Sequence, residues 1–312
     1  MSQNHSPLVS IIIPCYKAER ELPDALRSVS QQTYSHWEII AVNDCWDDDS
    51  EKIIHNFRSL HPNNNVLYTK NTKNLGLAGT RNVGINLCRG QYIAFLDHDD
   101  VWENHHLETG LRLLNQNQAE FFFTPALFCT LSIESTAYVW GPTAEDLKQF
   151  SDALLGRNFI APSGAIISKD LIKRIGPMDE SLRCCEDHDY WLRAITHKAR
   201  FCQTDTPTVK YRIGNTNSLT SKTELMFTTD IKVQKRYLNS LYFDRKKVRR
   251  SIALNYINLS NNLYPIKPSH SLLSLVKAFF WNPSDFPTFK KLIKNLVNLP
   301  STLTKTYYRS NP

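Results

Sequence analysis

The chain has 312 residues, 41% of them hydrophobic and 21% charged, with a formal net charge of +7. That length predicts one large domain or about two, and the composition supplies an ordinary globular core. No apolar run reaches the roughly 18 residues of a membrane span, no signal peptide is expected from the opening residues, and seven scattered cysteines without C-x-x-C spacing argue against a disulfide framework and a zinc site. A reducing, cytoplasmic setting is expected. The charge is uneven. From Arg245 onward twelve Lys and Arg face one acid, Asp285, a net of +11 that leaves −4 for the first 244 residues. No recognised nucleic-acid module accompanies the basic tail, so nucleic acid is not expected as a partner.

The first hundred residues alternate apolar runs with helical patterns. "LVSIIIPCY" is a continuous β-branched run bounded by Pro14, typical of a strand buried on both faces. A helix is expected from Glu19 to about Gln32, then a strand at "WEIIAVND", then a helix at "DSEKIIHNFRSLH" with Asp49 or Ser50 as N-cap. "NVLYTK" predicts a third strand, "LAGTRNVGINLC" a helix ending at Gly90, and "QYIAFLD" a fourth strand. Such alternation means βαβ units and a mostly parallel sheet flanked by helices. Beyond residue 101, "HHLETGLRLLNQ" predicts a helix, "AEFFFTPALF" one strand, and Ala144 to Leu155 one helix. "SGAIISKDLIKRIG" reads as a strand and a short helix, "EDHDYWLRAITH" as a helix with an acidic first turn, and "RFCQTDTPTVKYRI" as one or two strands. Helical patterns dominate from about Ser221 to Leu263.

The fourth strand runs into Asp97, His98, Asp99 and Asp100. Three acids so close repel one another and need water, basic partners or a cation. Alone they read as a solvated turn capping the next helix. Right-handed crossovers, however, bring the carboxyl ends of parallel strands to one sheet edge, where ligands bind. Tyr16 follows the first strand, Asn43 and Asp44 end the second, and Asn71 and Asn74 follow the third. Four strands thus deliver polar groups to one edge, which favours a site over a turn.

These stretches, with "NLGLAGTRNVGINLCRGQYIAFLDHDD", "EDHDYWLR" and "YRIGNTNSLT" in order, resemble glycosyltransferase family 2 from about Pro7 to Thr220. The resemblance implies a GT-A (Rossmann-like) α/β fold with a helical C-terminal extension. It implies a catalytic domain over residues 1–220, with a nucleotide-binding half at about 1–100 and an acceptor half at 101–220, and a basic extension at 221–312. It further implies an inverting, metal-dependent enzyme that moves a sugar from a UDP-, dTDP- or GDP-linked donor to a saccharide or lipid-linked acceptor. Cell-surface polysaccharide or glycolipid assembly is the expected setting.

By that resemblance Asp99 is the direct ligand of Mg²⁺ or Mn²⁺, a cation that neutralises the leaving diphosphate. Asp97 faces the ribose or a metal-bound water, and His98 lies on the nucleotide side. Asp44 accepts a hydrogen bond from the base N–H, Tyr16 and Pro14 line the base slot, and Arg81 sits beside the nucleotide. Asp187 is the expected base that takes the acceptor's proton, with Glu186 orienting the acceptor. Asp189 reads as a solvated helix residue or a supporting partner, and Trp191 as packing. Where the family usually has Gly-Ser, this chain has Cys45-Trp46, so a different loop path is expected, since positive φ is costly without glycine. Helices in "LLSLVKAFFW" and "TFKKLIKNLVNL" could lie on the inner face of an anionic membrane as a peripheral contact, or dock on protein. A non-catalytic sugar-nucleotide-binding protein and a carboxylate-pair hydrolase are the competing functions.

Overall fold

The computed structural model describes residues 6–130, 136–213, 222–285 and 290. The first half follows the expected alternation: β1 (Val9–Cys15), α1 (Leu22–Ser30), β2 (Trp37–Asn43), α2 (Ser50–Leu60), β3 (Asn65–Lys70), α3 (Gly76–Leu87) and β4 (Tyr92–Phe95). Then come β5 (Val101–Trp102), α4 (His106–Gln116), β6 (Phe121–Phe123), β7 (Ala126–Cys129), β8 (Thr136–Trp140), α5 (Ala144–Lys148) and α6 (Phe150–Gly156). The order continues with β9 (Ile166–Ser168), α7 (Lys169–Ile175), α8 (Glu186–Thr196), β10 (Phe201–Gln203), β11 (Val209–Arg212), α9 (Thr223–Lys235), α10 (Arg245–Leu263) and α11 (Pro268–Trp281).

Two compact units result. One takes in the described residues of Met1–Glu145 and Asn158–Asn215, the other those of Asp146–Arg157 and Thr216–Pro312. The first unit holds a seven-stranded sheet, ordered β10-β6-β9-β4-β1-β2-β3, and a four-stranded sheet, β5-β11-β7-β8. β3, β2, β1 and β4 are mutually parallel, whereas β9 runs antiparallel between β4 and β6. All seven residues of β1 and all seven of β2 are buried, as their unbroken apolar runs require. Chain order reverses at β1, which has β2 on one side and β4 on the other, so the crevice of this sheet opens at its carboxyl end.

Two local readings of the sequence change. "AEFFFTPALF" is two strands in different sheets, β6 and β7, parted at Thr124-Pro125. Proline has no N–H to give a ladder, so the chain turns out of the first sheet there. The helix expected over 144–155 is two, divided at Gln149 (φ −123, ψ 42), outside the helical region. α3 lies unusually close to β1: a Cβ on Gly84 would come within 2.5 Å of Ile12 Cγ2. That approach fixes where Arg81, one turn earlier on α3, meets the sheet edge.

In the second unit α10 packs between partners that include α9 and α11. The carbonyl of Leu155 on α6 accepts from Gln234 Nε2 (2.9 Å) and Ser251 Oγ (3.1 Å). No described helix is long and apolar enough to cross a membrane. The expected helix in "TFKKLIKNLVNL", apart from Lys290, and all of "GNTNSLT" lie outside the described residues.

Candidate active site

The strand ends meet as expected, through specific bonds. Asp44, at the end of β2, is buried, and its carboxylate accepts from the Leu75 N–H (2.7 Å), the Gly76 N–H (2.9 Å) and Asn71 Nδ2 (3.0 Å). It therefore caps the start of α3, where Gly76 takes φ +73. Three of a carboxylate's roughly four acceptor positions are used, which leaves one. Asn74 Nδ2 reaches the Asp44 carbonyl at 3.3 Å and completes the tie between the second and third strand ends.

The Cys45-Trp46 turn keeps a left-handed residue without glycine: Cys45 has φ +58. Asn43 holds it from both sides, donating from Nδ2 to the Trp46 carbonyl (2.9 Å) and accepting from the Trp46 N–H (2.8 Å). These bonds offset the cost of about 1–2 kcal/mol that a side chain meets there. The turn sets the Trp46 ring 5.1 Å from that of Tyr16, edge-on, with Lys17 Nζ 4.4 Å from the Trp46 centroid. Both rings are about two fifths exposed, an open aromatic pair rather than a core contact. His98 donates from Nδ1 to the Pro14 carbonyl at 3.1 Å, since a carbonyl can only accept.

Arg81 is the hinge of the site. It is 1% exposed, and its guanidinium donates to Asp97 Oδ1 at 2.7 Å and to Glu186 Oε1 at 2.6 Å. Burial works against its charge, but Asp97 and Glu186 outweigh burial and push its pKa above the ordinary arginine value. One guanidinium thus joins the end of β4 to the start of α8. Glu186 is buried, and burial, opposed by Arg81 and aided by Asp187, raises its pKa to about 7.

The four positions after β4 divide the work. Asp100 is buried, accepting from Ser163 Oγ at 2.5 Å and from the Arg212 N–H at 3.1 Å. Burial, with Asp99 and Asp97 beside it, lifts its pKa well above the usual range. The Asp99 carboxyl is lifted too, by burial and by Asp97 against a pull from His98. Among the described residues Asp99 forms no ion pair, while Asp97 is committed to Arg81. Asp187, in the first turn of α8, is half-buried and accepts from Asn158 Nδ2 at 2.7 Å. Burial raises its pKa, and Arg81 pulls it back. Asp189 is buried and paired to Arg193 at 2.9 Å, so it is a supporting partner and not a solvated residue. Trp191 is fully buried against Phe121.

Ser163 is a site residue that sequence reading missed. Its hydroxyl accepts from the Asp97 N–H (3.0 Å) while donating to Asp100, and its carbonyl accepts from Trp102 Nε1 (2.6 Å). Nothing in "APSGAIIS" signals this, because the partners lie more than sixty residues away. Arg212 was missed likewise. It lies in "YRIGNTNSLT", and its Nε donates to the Asp99 carbonyl at 3.1 Å.

The donor set can be tested against a divalent cation. Among the described residues no group of three or more His, Cys, Asp or Glu side chains is placed to hold a metal. What remains is Asp99, a carboxylate without a counter-charge beside two other acids. One protein carboxylate, with phosphate oxygens and water for the rest of the shell, fits Mg²⁺ or Mn²⁺.

Comparison with known proteins gives the family and the fold. An uncharacterised glycosyltransferase of Haemophilus influenzae is 31% identical over 60% of this chain and 62% of its own length. The Escherichia coli UDP-Glc:alpha-D-GlcNAc-diphosphoundecaprenol beta-1,3-glucosyltransferase WfgD is 35% identical over 37% of this chain and 44% of its own. The chain thus spans less than two thirds of either relative. Among solved structures, S. aureus TarS 1–349 in complex with UDP-GlcNAc superposes with a TM-score of 0.68 at 16% identity, covering 93% of this chain and 87% of TarS 1–349. The mannosyltransferase PcManGT of Pyrobaculum calidifontis, in complex with GDP-Man and Mn²⁺, gives 0.64 at 13% identity, covering 94% and 81%. The fold is that of the GT-A glycosyltransferases. A family model, Glycosyl transferase family 2, matches residues 10–176, the stretch that carries Asp44, Arg81 and the acids after β4, and the chain belongs to that family.

Proposed function

We propose that this chain transfers a sugar from a nucleotide-diphosphate donor to a hydroxyl acceptor, with inversion at C1 and with a divalent cation bound at Asp99. The observation that carries the reading is Arg81, whose buried guanidinium ties Asp97 of the donor edge to Glu186 beside Asp187. The open Tyr16–Trp46 pair offers a face for a base, and the one free acceptor position of Asp44 selects a base that presents an N–H, which favours uracil, thymine or guanine. Mg²⁺ or Mn²⁺, when bound, neutralises the diphosphate as it leaves. Asp187 takes the acceptor's O–H proton as that oxygen bonds to C1 and the bond from C1 to the diphosphate breaks. Its raised pKa suits a base, and the Asn158 amide fixes the carboxylate's direction. Glu186, held by Arg81, orients the acceptor.

A lipid-linked acceptor in cell-surface glycan assembly fits the acceptor in the name of the E. coli relative. It would place the enzyme on the cytoplasmic face of a membrane, touched through the basic helical unit. The donor half of the reading is tested by calorimetric titration of UDP, GDP and dTDP, each with and without Mn²⁺, on the wild type and on Asp99→Ala. One nucleotide should bind, only with metal, and not to the variant. Failure of all three to bind would remove the transferase reading.

A further inference from the structure

The helical unit contains a cavity of about 300 Å³ that the transfer reaction does not use. One face of α9 supplies Lys232 and Lys235, α11 supplies Ser274 and Lys277, and Tyr256 and Leu259 of α10 line it as well. Among the described residues no carboxylate lines it. Among the described residues none of the three lysines forms an ion pair, and the acids of α9 are engaged elsewhere. Glu224 is paired to Lys267 at 2.9 Å, and Asp230 accepts from Asn255 at 3.1 Å. Aromatic faces hold the ammonium groups together: Lys235 Nζ lies 5.9 Å from the Tyr256 centroid and 5.4 Å from Trp281, and Lys277 Nζ 5.9 Å from Tyr256. Three cations gathered without a counter-charge among the described residues call for an anion.

The flank of the cavity says which anion. α11 packs inward through Ser271, Ser274, Leu275 and Ala278. At 3.6 residues per turn the opposite side carries Leu272, Leu273, Val276 and Phe280, which are 47%, 51%, 42% and 69% exposed. Lys277 lies between this apolar ridge and the cavity, one turn from Leu273 and from Phe280. A soluble phosphate would need the lysines but has no use for the ridge. A bilayer of anionic phospholipid meets both, with phosphates at the cations and the acyl boundary at the ridge.

We propose that the cavity between α9 and α11 binds the phosphate headgroups of an anionic bilayer, with the α11 ridge entering the acyl boundary. The proposal rests on the membrane-surface reading given above and names its site and its lipid chemistry.

The test is flotation of the full chain with vesicles of phosphatidylcholine alone and of phosphatidylcholine with phosphatidylglycerol. The wild type should float only with phosphatidylglycerol. A lysine near such a surface contributes about fivefold, so Lys232→Ala/Lys235→Ala/Lys277→Ala should weaken binding about a hundredfold. Leu273→Ser/Phe280→Ser should weaken it at least tenfold with all charges kept. A control that removes three exposed cations elsewhere, Arg245→Ala/Lys246→Ala/Arg250→Ala, should lose much less. Equal loss in that control overturns the site, because diffuse charge would then explain binding. Lysine-dependent titration of inorganic phosphate without flotation overturns the bilayer as occupant. A wild-type dimer that Leu273→Ser/Phe280→Ser turns into monomer, without flotation, assigns the ridge to a second copy and overturns it equally. Sugar transfer to a soluble acceptor is measured alongside. Transfer without flotation overturns the headgroup site alone, and lysine-dependent flotation without transfer overturns the transferase reading alone.

Discussion

Asp97-His98-Asp99-Asp100 and Glu186-Asp187-His188-Asp189 each place three acids and a histidine in four positions, yet the fold treats them differently. The second set opens α8, where the helix N-terminus favours negative charge by about 0.3–1 kcal/mol per group. The first set follows a strand and has no such field. Asp100 leans instead on the Ser163 hydroxyl and the Arg212 N–H. In both sets the last acid is buried and partnered, and one inner acid is the one we propose for chemistry: Asp99 in the first, Asp187 in the second. The first acid of each goes to the same guanidinium, that of Arg81. Position in the secondary structure, not composition, assigns the roles.

The largest way to break this symmetry is Asp187→Asn. Turnover should fall by about 10²–10⁴-fold while nucleotide affinity, measured by calorimetry, stays put. If rate and affinity fell together, Asp187 would belong to donor binding instead. Next comes the shared guanidinium. Arg81→Met leaves Glu186 and Asp97 without their counter-charge, and breaking a buried pair in this way costs about 3–5 kcal/mol in urea unfolding.

Glu186 provides a third, pH-dependent test. Its folded pKa of about 7 lies above its ordinary 4.5, so the folded state holds the proton where the unfolded chain has lost it. Its contribution is complete below about pH 4.5 and is lost as pH rises through 7. Stability should fall by up to about 3 kcal/mol across that window, and Glu186→Gln should flatten the fall. The smallest effect is expected at Asp189→Asn. Loss of the charge facing Arg193 should cost about 2 kcal/mol of stability without moving turnover, since Asp189 touches no part of the proposed reaction.

The fold was readable where local pattern decides it. β1, β2 and β4 are short apolar runs that match buried strands, β3 is the more exposed edge strand, and the alternation with helices pointed to parallel pairing. It was not readable where partners are distant. β9 lies antiparallel between β4 and β6 because of cross-strand register, and "GAIIS" carries no mark of direction. Pro125 was visible, but that it sends the chain into a second sheet depends on what β7 finds to pair with. The site divides in the same way. Asp44, Asp97, Asp99 and Asp187 stood out as acids at strand or helix ends. That Asp44 spends three bonds capping α3, or that Ser163 joins Asp97 to Asp100, follows from contacts across many residues. At Cys45 the sequence pointed to a changed path. The structure keeps positive φ instead, because Asn43 closes the turn from both sides.

The carbonyl of Leu155 sets a condition on the order of synthesis. Its two hydrogen-bond donors, on Gln234 and Ser251, lie 79 and 96 residues further along. As the chain leaves the ribosome, α6 therefore emerges well before the helices that complete it. Meanwhile the buried side chains of Leu154 and Leu155 stand without their final cover. Residues 158–215 are made in that interval, so nascent chains halted before about Ser251 should be far more sensitive to protease at Phe150–Gly156 than released chains.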